Sequence, residues 1–214
     1  QRIDATARAC GREPGEVRLI AVSKTWPVSH VQAAWQAGQR AFGENYLQES
    51  LTKIADLRAW LSGRGPGDNG QAGDVPQWHF IGPIQGNKTA PIAEHFDWVH
   101  SVERLRIATR LSAARPPGLP PLQVLLQVNV SGEASKSGAA PEDVPALAQE
   151  IARLPNLRLR GLMAIPQPES DPVRQRIPFR ALRMQLEALR AAGLDVDQLS
   201  MGMSDDLEAA IAEG

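Results

Sequence analysis

The sequence predicts a (β/α)8 barrel of the TIM kind, and three observations carry the prediction. Seven short, β-branched runs alternate with longer helical patterns along the 214 residues. No two runs are joined by a hairpin-type turn, so the strands are expected to be parallel. The count stops one unit short of eight, which favours a closed barrel over the open, doubly wound sheet that such alternation also allows. A complete barrel typically has about 250 residues. The chain opens at Gln1 and stops at Gly214 inside a helical pattern. It therefore reads as a single domain over 1–214, lacking its extreme N-terminus and its eighth strand, with that strand expected beyond Gly214.

The elements follow in order. Arg18–Lys24 is a nearly continuous apolar run, as strands buried on both faces are. A helix over Val28–Ala37 is closed by Gly38, and a short strand follows at Arg40–Phe42. Over Glu44–Leu61 the spacing of Leu47, Leu51, Ile54, Leu57 and Leu61 puts five aliphatic residues on one helical face. A third strand is expected at Gln77–Ile81 with a helix over Asn87–Glu94, and a fourth at Asp97–Val102 with a helix over Glu103–Ala113. The fifth, Gln123–Val130, is followed by a helix over Pro141–Leu154 with proline in its first turn. Arg158–Ile165 is the sixth strand, with a helix over Pro178–Ala192 stopped by Gly193. Gln198–Met203 is the seventh, and a last helix starts near Ser204.

Two stretches break the rhythm. Residues 62–76 carry Gly63, Gly65, Gly67, Gly70 and Gly73 between a helix and the next strand. That position faces away from the chemistry of a barrel, so the stretch reads as a flexible insertion rather than a phosphate loop. Residues 166–176 follow the sixth strand and border the active face, as a mobile lid or simply a long loop.

Composition excludes several functions. A net charge of −1 creates no field to capture nucleic acid or an anionic membrane, and no apolar tract is long enough to span one. One cysteine, Cys10, forms no internal disulfide and fits a reducing cytoplasm. No metal-ligand spacing, nucleophile elbow or dinucleotide fingerprint is present.

Barrel enzymes build their sites at the C-terminal ends of the strands. Lys24 ends the first strand, Asn45 follows the second, and Met163 lies on the sixth. His79, His100, Ser101, Asn129 and Ser131 sit on or just after other strands, and Ser204 follows the seventh. At the end of an apolar run Lys24 is expected deep in the barrel mouth. A lysine held out of water gives up its proton more readily, and the neutral amine is the form that attacks a carbonyl. The alternative is a lysine whose stem packs along the strand while its head reaches water. In Ser200–Glu208 either Ser204 or Asp205 can cap the last helix, whose start suits a phosphate provided Asp205 and Asp206 point away. His30 and His95 fall at surface positions of helical patterns.

Several motifs, in order, resemble one family. Ala21-Val-Ser-Lys-Thr25, Phe42-Gly-Glu-Asn-Tyr46, Trp78-His-Phe-Ile-Gly82 with Gln85-Gly-Asn-Lys88, Gly161-Leu-Met163 and Met201-Gly-Met-Ser-Asp205 are similar to those of the pyridoxal-phosphate homeostasis proteins, the YggS or PROSC family. Glu133–Gly138 extends the resemblance, which covers nearly the whole chain. It implies a fold-type III barrel related to the N-terminal domain of alanine racemase and holding pyridoxal 5′-phosphate. Lys24 would form the Schiff base. Ser204, with the backbone of Gly202 and Met203, would help bind the phosphate, while Asn45 and Met163 would line the pocket. The family continues with an Arg-Ile-Gly-Thr strand that completes the phosphate cup and would lie past Gly214.

The resemblance also implies a carrier and regulator of vitamin B6 supply without catalysis of its own, a cytoplasmic monomer serving apoenzymes that need the cofactor. The resemblance puts the arginine of that Arg-Ile-Gly-Thr strand at the pyridine nitrogen, where it weakens the electron sink, and Tyr46 is the only tyrosine available as a second base. The alternatives are a racemase-like enzyme using Lys24 as one base, or a class I aldolase-type barrel with no cofactor. Lys136 is a further lysine of open role, either a secondary aldehyde site or a solvated side chain.

Overall fold

Seven strands lie side by side in the order in which the chain makes them, and every neighbouring pair is parallel. They are β1 (Ala21–Val22), β2 (Ala41–Glu44), β3 (Gln77–Phe80), β4 (Trp98–Val102), β5 (Leu122–Gln127), β6 (Leu157–Met163) and β7 (Gln198–Ser200). The computed structural model describes residues 1–63, 75–131 and 137–214. After α1 (Arg2–Ala9), one helix follows each strand: α2 (Val28–Gln36), α3 (Leu47–Ser62), α4 (Thr89–His95), α5 (Leu105–Ala114), α6 (Val144–Ala152), α7 (Pro172–Ala191) and α8 (Leu207–Glu213). Parallel neighbours need such crossovers, because a hairpin turn cannot return the chain to the start of the next strand. The main core packs the helices on one face of the sheet, with Trp35, Phe42, Ile54, Leu57, Trp78 and Phe96 buried there.

The sheet curls. His100 on β4 hydrogen-bonds the Ser200 hydroxyl on β7 at 2.7 Å, although three strand spacings separate them along the sheet. In a flat sheet that separation is about 14 Å, so the concave face must bring the two strands together. Among the described residues β1 pairs only with β2, and β7 only with β6. This is the barrel wall that the alternation of elements implies, seven strands long.

The first run departs from expectation. Only Ala21 and Val22 form a strand, and Leu19 and Val22 are about half exposed rather than buried on both faces. Among the described residues the ladder of β1 runs to β2 alone. The fully buried apolar strand is β5, where Leu122, Val124, Leu125 and Leu126 sit between two neighbours and under helices. Of the five α3 residues on one face, Leu47, Ile54 and Leu57 are buried and Leu51 and Leu61 half-buried.

The 166–176 loop is shorter than the sequence suggests, because α7 starts at Pro172. Asp171 caps it, its carboxylate accepting from the N–H of Val173 at 2.8 Å, and Pro178 lies inside the helix instead of opening it. A proline there removes one backbone hydrogen bond. Burial of Phe179, Leu182, Leu186 and Leu189, spaced as one helical face, offsets the loss. The first-turn proline that marks the true start is Pro172. Most of the 62–76 insertion, and Lys136, lie outside the described residues.

Candidate functional site

Lys24 sits in the turn that leaves β1. Ser23 still pairs with β2 through its N–H to the Gly43 carbonyl at 2.9 Å, and the Trp26 N–H closes the turn on the Ser23 carbonyl at 3.1 Å. Lys24 and Thr25 are its two central residues. Thr25 takes φ 65°, the left-handed conformation that the second central position of a type II turn demands and that normally selects glycine. Lys24 is half-buried, at the rim of the sheet's C-terminal end rather than deep in the mouth, because it stands in the turn beyond the strand. Its ammonium has no hydrogen-bond or ion-pair partner among the described residues.

Beneath the turn lies a buried ionic cluster that periodicity gave no reason to expect. The Lys53 ammonium on α3 donates to Glu44 Oε1 at 2.6 Å, to Glu49 Oε1 at 2.9 Å and to the Ser23 carbonyl at 2.7 Å. The Ser23 hydroxyl donates to the same Glu44 oxygen at 2.6 Å, and the Thr25 N–H donates to Glu49 Oε1 at 2.6 Å. Glu44 and Lys53 are almost fully buried. The hydrogen bond from Lys53 lowers the pKa of Glu49 below the usual carboxylate range. One signal was legible: Lys53 shares the buried helical face of Ser50, Ile54 and Leu57, an unusual place for a charge.

Asn45 follows β2 and is level with Lys24 when the β1–β2 register is extended. Its side-chain oxygen is buried and accepts no hydrogen bond. Buried acceptors rarely stay unpartnered, so this atom marks a place where a donor is missing.

The other candidates gather at β6, β7 and α8. Met163 is buried opposite Ser200 in the β6–β7 register. Gly202 has φ +87°, and a Cβ there would stand 2.6 Å from the Cβ of Ala210, so the turn into α8 requires glycine. Met203 and Ser204 are exposed. Neither Ser204 nor Asp205 caps α8; the turn runs to Asp206, whose carboxylate accepts from the Met203 N–H at 2.5 Å. Asp206 thus points toward the proposed anion donors, not away. Glu208 closes no capping box, because Arg2 on α1 binds its carboxylate at 2.9 Å and the Ser204 carbonyl at 3.0 Å. No hydrogen bond among the described residues joins this group to Lys24 or Asn45. They share the C-terminal end of the sheet.

Inside the curl, His79 Nδ1 meets His100 Nε2 at 2.9 Å, and His100 Nδ1 meets the Ser200 hydroxyl at 2.7 Å. Burial lowers His79 to about 2 and His100 to about 4, so both are neutral at physiological pH and form a polar column under the site. Ser101 is buried, its hydroxyl donating to the Gly82 carbonyl at 2.5 Å. Asn129 and Ser131 bond each other through the Ser131 N–H, and neither approaches Lys24 by any hydrogen bond. His30 is exposed, as the sequence suggests; His95 is half-buried, with Nδ1 3.0 Å from the Pro91 carbonyl. No cluster that could hold a metal occurs among the described residues.

A cavity of about 580 Å³ opens at the opposite end of the sheet, lined by Arg18, Gln77, Trp98, Arg160 and Gln198 among others. Two of its three arginines are already engaged, and Arg18 donates to the Gln77 side chain at 2.9 Å. Arg160 binds Asp197 at 2.7 and 2.8 Å, and Arg115 binds the carbonyls of Ala93, Phe96 and Pro120. This cavity lies at the end of the sheet away from Lys24.

Comparison with known proteins agrees with the fold. Residues 1–213 match the family described as alanine racemase, N-terminal domain. The chain is 60% identical over 214 residues to the pyridoxal phosphate homeostasis protein of Pseudomonas aeruginosa, covering all of this chain and 85% of that protein. It is 51% identical to the protein of the same name from Escherichia coli, covering 86% of its length. The solved structure of PipY of Synechococcus elongatus with PLP bound superposes with a TM-score of 0.81 at 33% identity, over all of this chain and 94% of that one.

Proposed function

The chain belongs to the alanine racemase N-terminal domain family and, within it, to the pyridoxal phosphate homeostasis proteins, and from that premise we propose that it holds pyridoxal 5′-phosphate on Lys24 and buffers or delivers it without catalysing a reaction. The single observation that carries the reading is the contrast at β1: Lys24 is the free amine of its corner, beside the orphaned acceptor of Asn45. Pyridoxal phosphate supplies an aldehyde, which condenses with a neutral primary amine with loss of one water. Lys24 is the residue of this corner able to offer that amine, because the nearby Lys53 spends all three donors on Ser23, Glu44 and Glu49.

The remaining residues fit the group. Asn45 offers its side-chain oxygen to a polar donor, and Met163 gives an apolar wall from β6. Gly202, Met203 and Ser204 bring a hydroxyl and backbone N–H groups for the phosphate, once Asp206 releases the Met203 N–H. A non-catalytic role is supported by how the acid–base groups are occupied. Glu44 and Glu49 are committed to Lys53, His79 and His100 to a neutral column, and Tyr46 is exposed. Two-base racemisation needs a second free base facing the first. A monomer in the cytoplasm, serving apoenzymes, completes the reading, and the exposed thiol of Cys10 fits a reducing compartment.

The test is direct. Purified protein incubated with pyridoxal phosphate should turn yellow, and borohydride should fix the cofactor on Lys24 as read by peptide mass spectrometry. Lys24→Ala should stay colourless. Equal uptake by Lys24→Ala would sink the reading. Lys24-dependent exchange of an amino acid's α-deuterium would replace it with the racemase-like one. Borohydride trapping of an added carbonyl substrate, but not of pyridoxal, would replace it with the aldolase-type one.

A further inference from the structure

We propose that Lys53, Glu49 and Glu44 are positioning residues for Lys24: a buried ionic clamp that fixes the two residues flanking it and so aims its amine. The proposal rests on the reading of Lys24 as the cofactor-binding amine.

The geometry is specific to that turn. Three bonds hold Ser23 to β2 and α3: its N–H to Gly43, its hydroxyl to Glu44 and its carbonyl to Lys53. A fourth holds the N–H of Thr25, so both neighbours of Lys24 are tied while Lys24 itself is left free. Thr25 is held at φ 65°, a conformation uncommon for a residue branched at Cβ, and Glu49 is the acceptor that holds it there. Without Glu49 the turn would be free to relax, and Lys24 with it.

Fold stability gives a poor account of the cluster. A buried ion pair can often be exchanged for apolar side chains with no loss of stability, so its presence suits a device that specifies one geometry. β1 itself is short, with only Ala21 and Val22 in the ladder, so the residues just beyond it depend on other bonds for their position. The three ammonium protons of Lys53 meet three acceptors on three segments, which leaves no spare donor and little freedom to shift. The clamp acts through the backbone and does not itself touch the cofactor.

Glu49 provides the discriminating experiment, because it is partly exposed and its replacement should not prevent folding. Stopped-flow absorbance would follow pyridoxal phosphate uptake by the wild type, Glu49→Ala, Glu49→Gln, Lys53→Met and Lys24→Ala, with borohydride trapping and peptide mapping of each. Glu49→Ala is expected to take up the cofactor about tenfold more slowly, with a shifted visible absorbance maximum and some trapping on other lysines. Glu49→Gln keeps an oxygen acceptor for the Thr25 N–H and should restore most of the rate and the trapping at Lys24. Lys53→Met is expected to be slower still, about a hundredfold where it folds. Wild-type rate, spectrum and trapping in Glu49→Ala would overturn the clamp, and so would Glu49→Gln being as slow as Glu49→Ala. Uptake by Lys24→Ala at the wild-type rate would instead overturn the reading of Lys24, which keeps the two failures apart.

Discussion

The β1–β2 corner and the β7–α8 corner carry the two halves of the candidate site, and they are built by opposite means. At the β1–β2 corner, charges are buried: Lys53 and Glu44 are 4% and 0% exposed and hydrogen-bonded to the residues around Lys24. At the β7–α8 corner the charges lie in water, where Arg2 and Glu208 are about half exposed and Asp206 occupies the Met203 N–H. Burial removes screening and makes geometry costly to change, whereas exposed pairs contribute little and rearrange easily. The lysine half is therefore rigid before a ligand arrives. The corner proposed for the phosphate has a turn in which Asp206 must first give up the Met203 N–H.

Three measurements can break this comparison, taken from the largest expected effect downward. Lys53→Met strands the buried Glu44 carboxylate without its partner, which should cost about 3–5 kcal/mol in urea unfolding. A loss under about 1 kcal/mol would mean that the corner is as adaptable as its counterpart.

The second measurement concerns the far end of α8. There Glu213 is buried and is lowered to about 2, chiefly by its hydrogen bonds from Arg180 and Arg176. A carboxylate whose folded value lies below its unfolded 4.5 adds stability that is fully present above 4.5 and lost as pH falls through about 2. Unfolding free energy should therefore decline from pH 4.5 toward 2, and Glu213→Gln should be less stable at pH 7 and decline less over that interval. An equal decline in the variant would place the acid sensitivity elsewhere.

The smallest effect is expected from Arg2→Ala. It removes exposed bonds to Glu208 and the Ser204 carbonyl, and the change in melting temperature should be slight and should shrink further in high salt. A large, salt-independent loss would show that α1 clamps α8 as firmly as α3 clamps β1.

Strand order, and the place of Lys24 just after the first strand, are legible in the sequence because they depend on alternation and on chain order, which the residues display directly. Seven apolar runs with helical patterns between them leave parallel pairing as the outcome, and the structure has that sheet. The start of α7 is not legible in the same way, because Pro172 and Pro178 both satisfy the first-turn preference. Only the Asp171 cap and the buried face from Phe179 onward decide between them. The start of α8 is ambiguous for a related reason, since Ser204, Asp205 and Asp206 are all competent caps and only the turn closed by Asp206 on the Met203 N–H places it.

The sequence by itself determined the barrel class, the family motifs and the residue types gathered at the ends of the strands. Local propensity and periodicity are sums over neighbours in the chain, and they need no partner from elsewhere. Tertiary structure alone decided that Lys24 stands at a rim with its amine free while Lys53 is consumed, and that Asn45 keeps an unpaired oxygen. It also decided that His79, His100 and Ser200 form a column, because that requires strands far apart in sequence to meet across a curl. Hydrogen bonds between segments carry little signature in either one, so which of two lysines is free is settled only when α3 packs over β1 and β2.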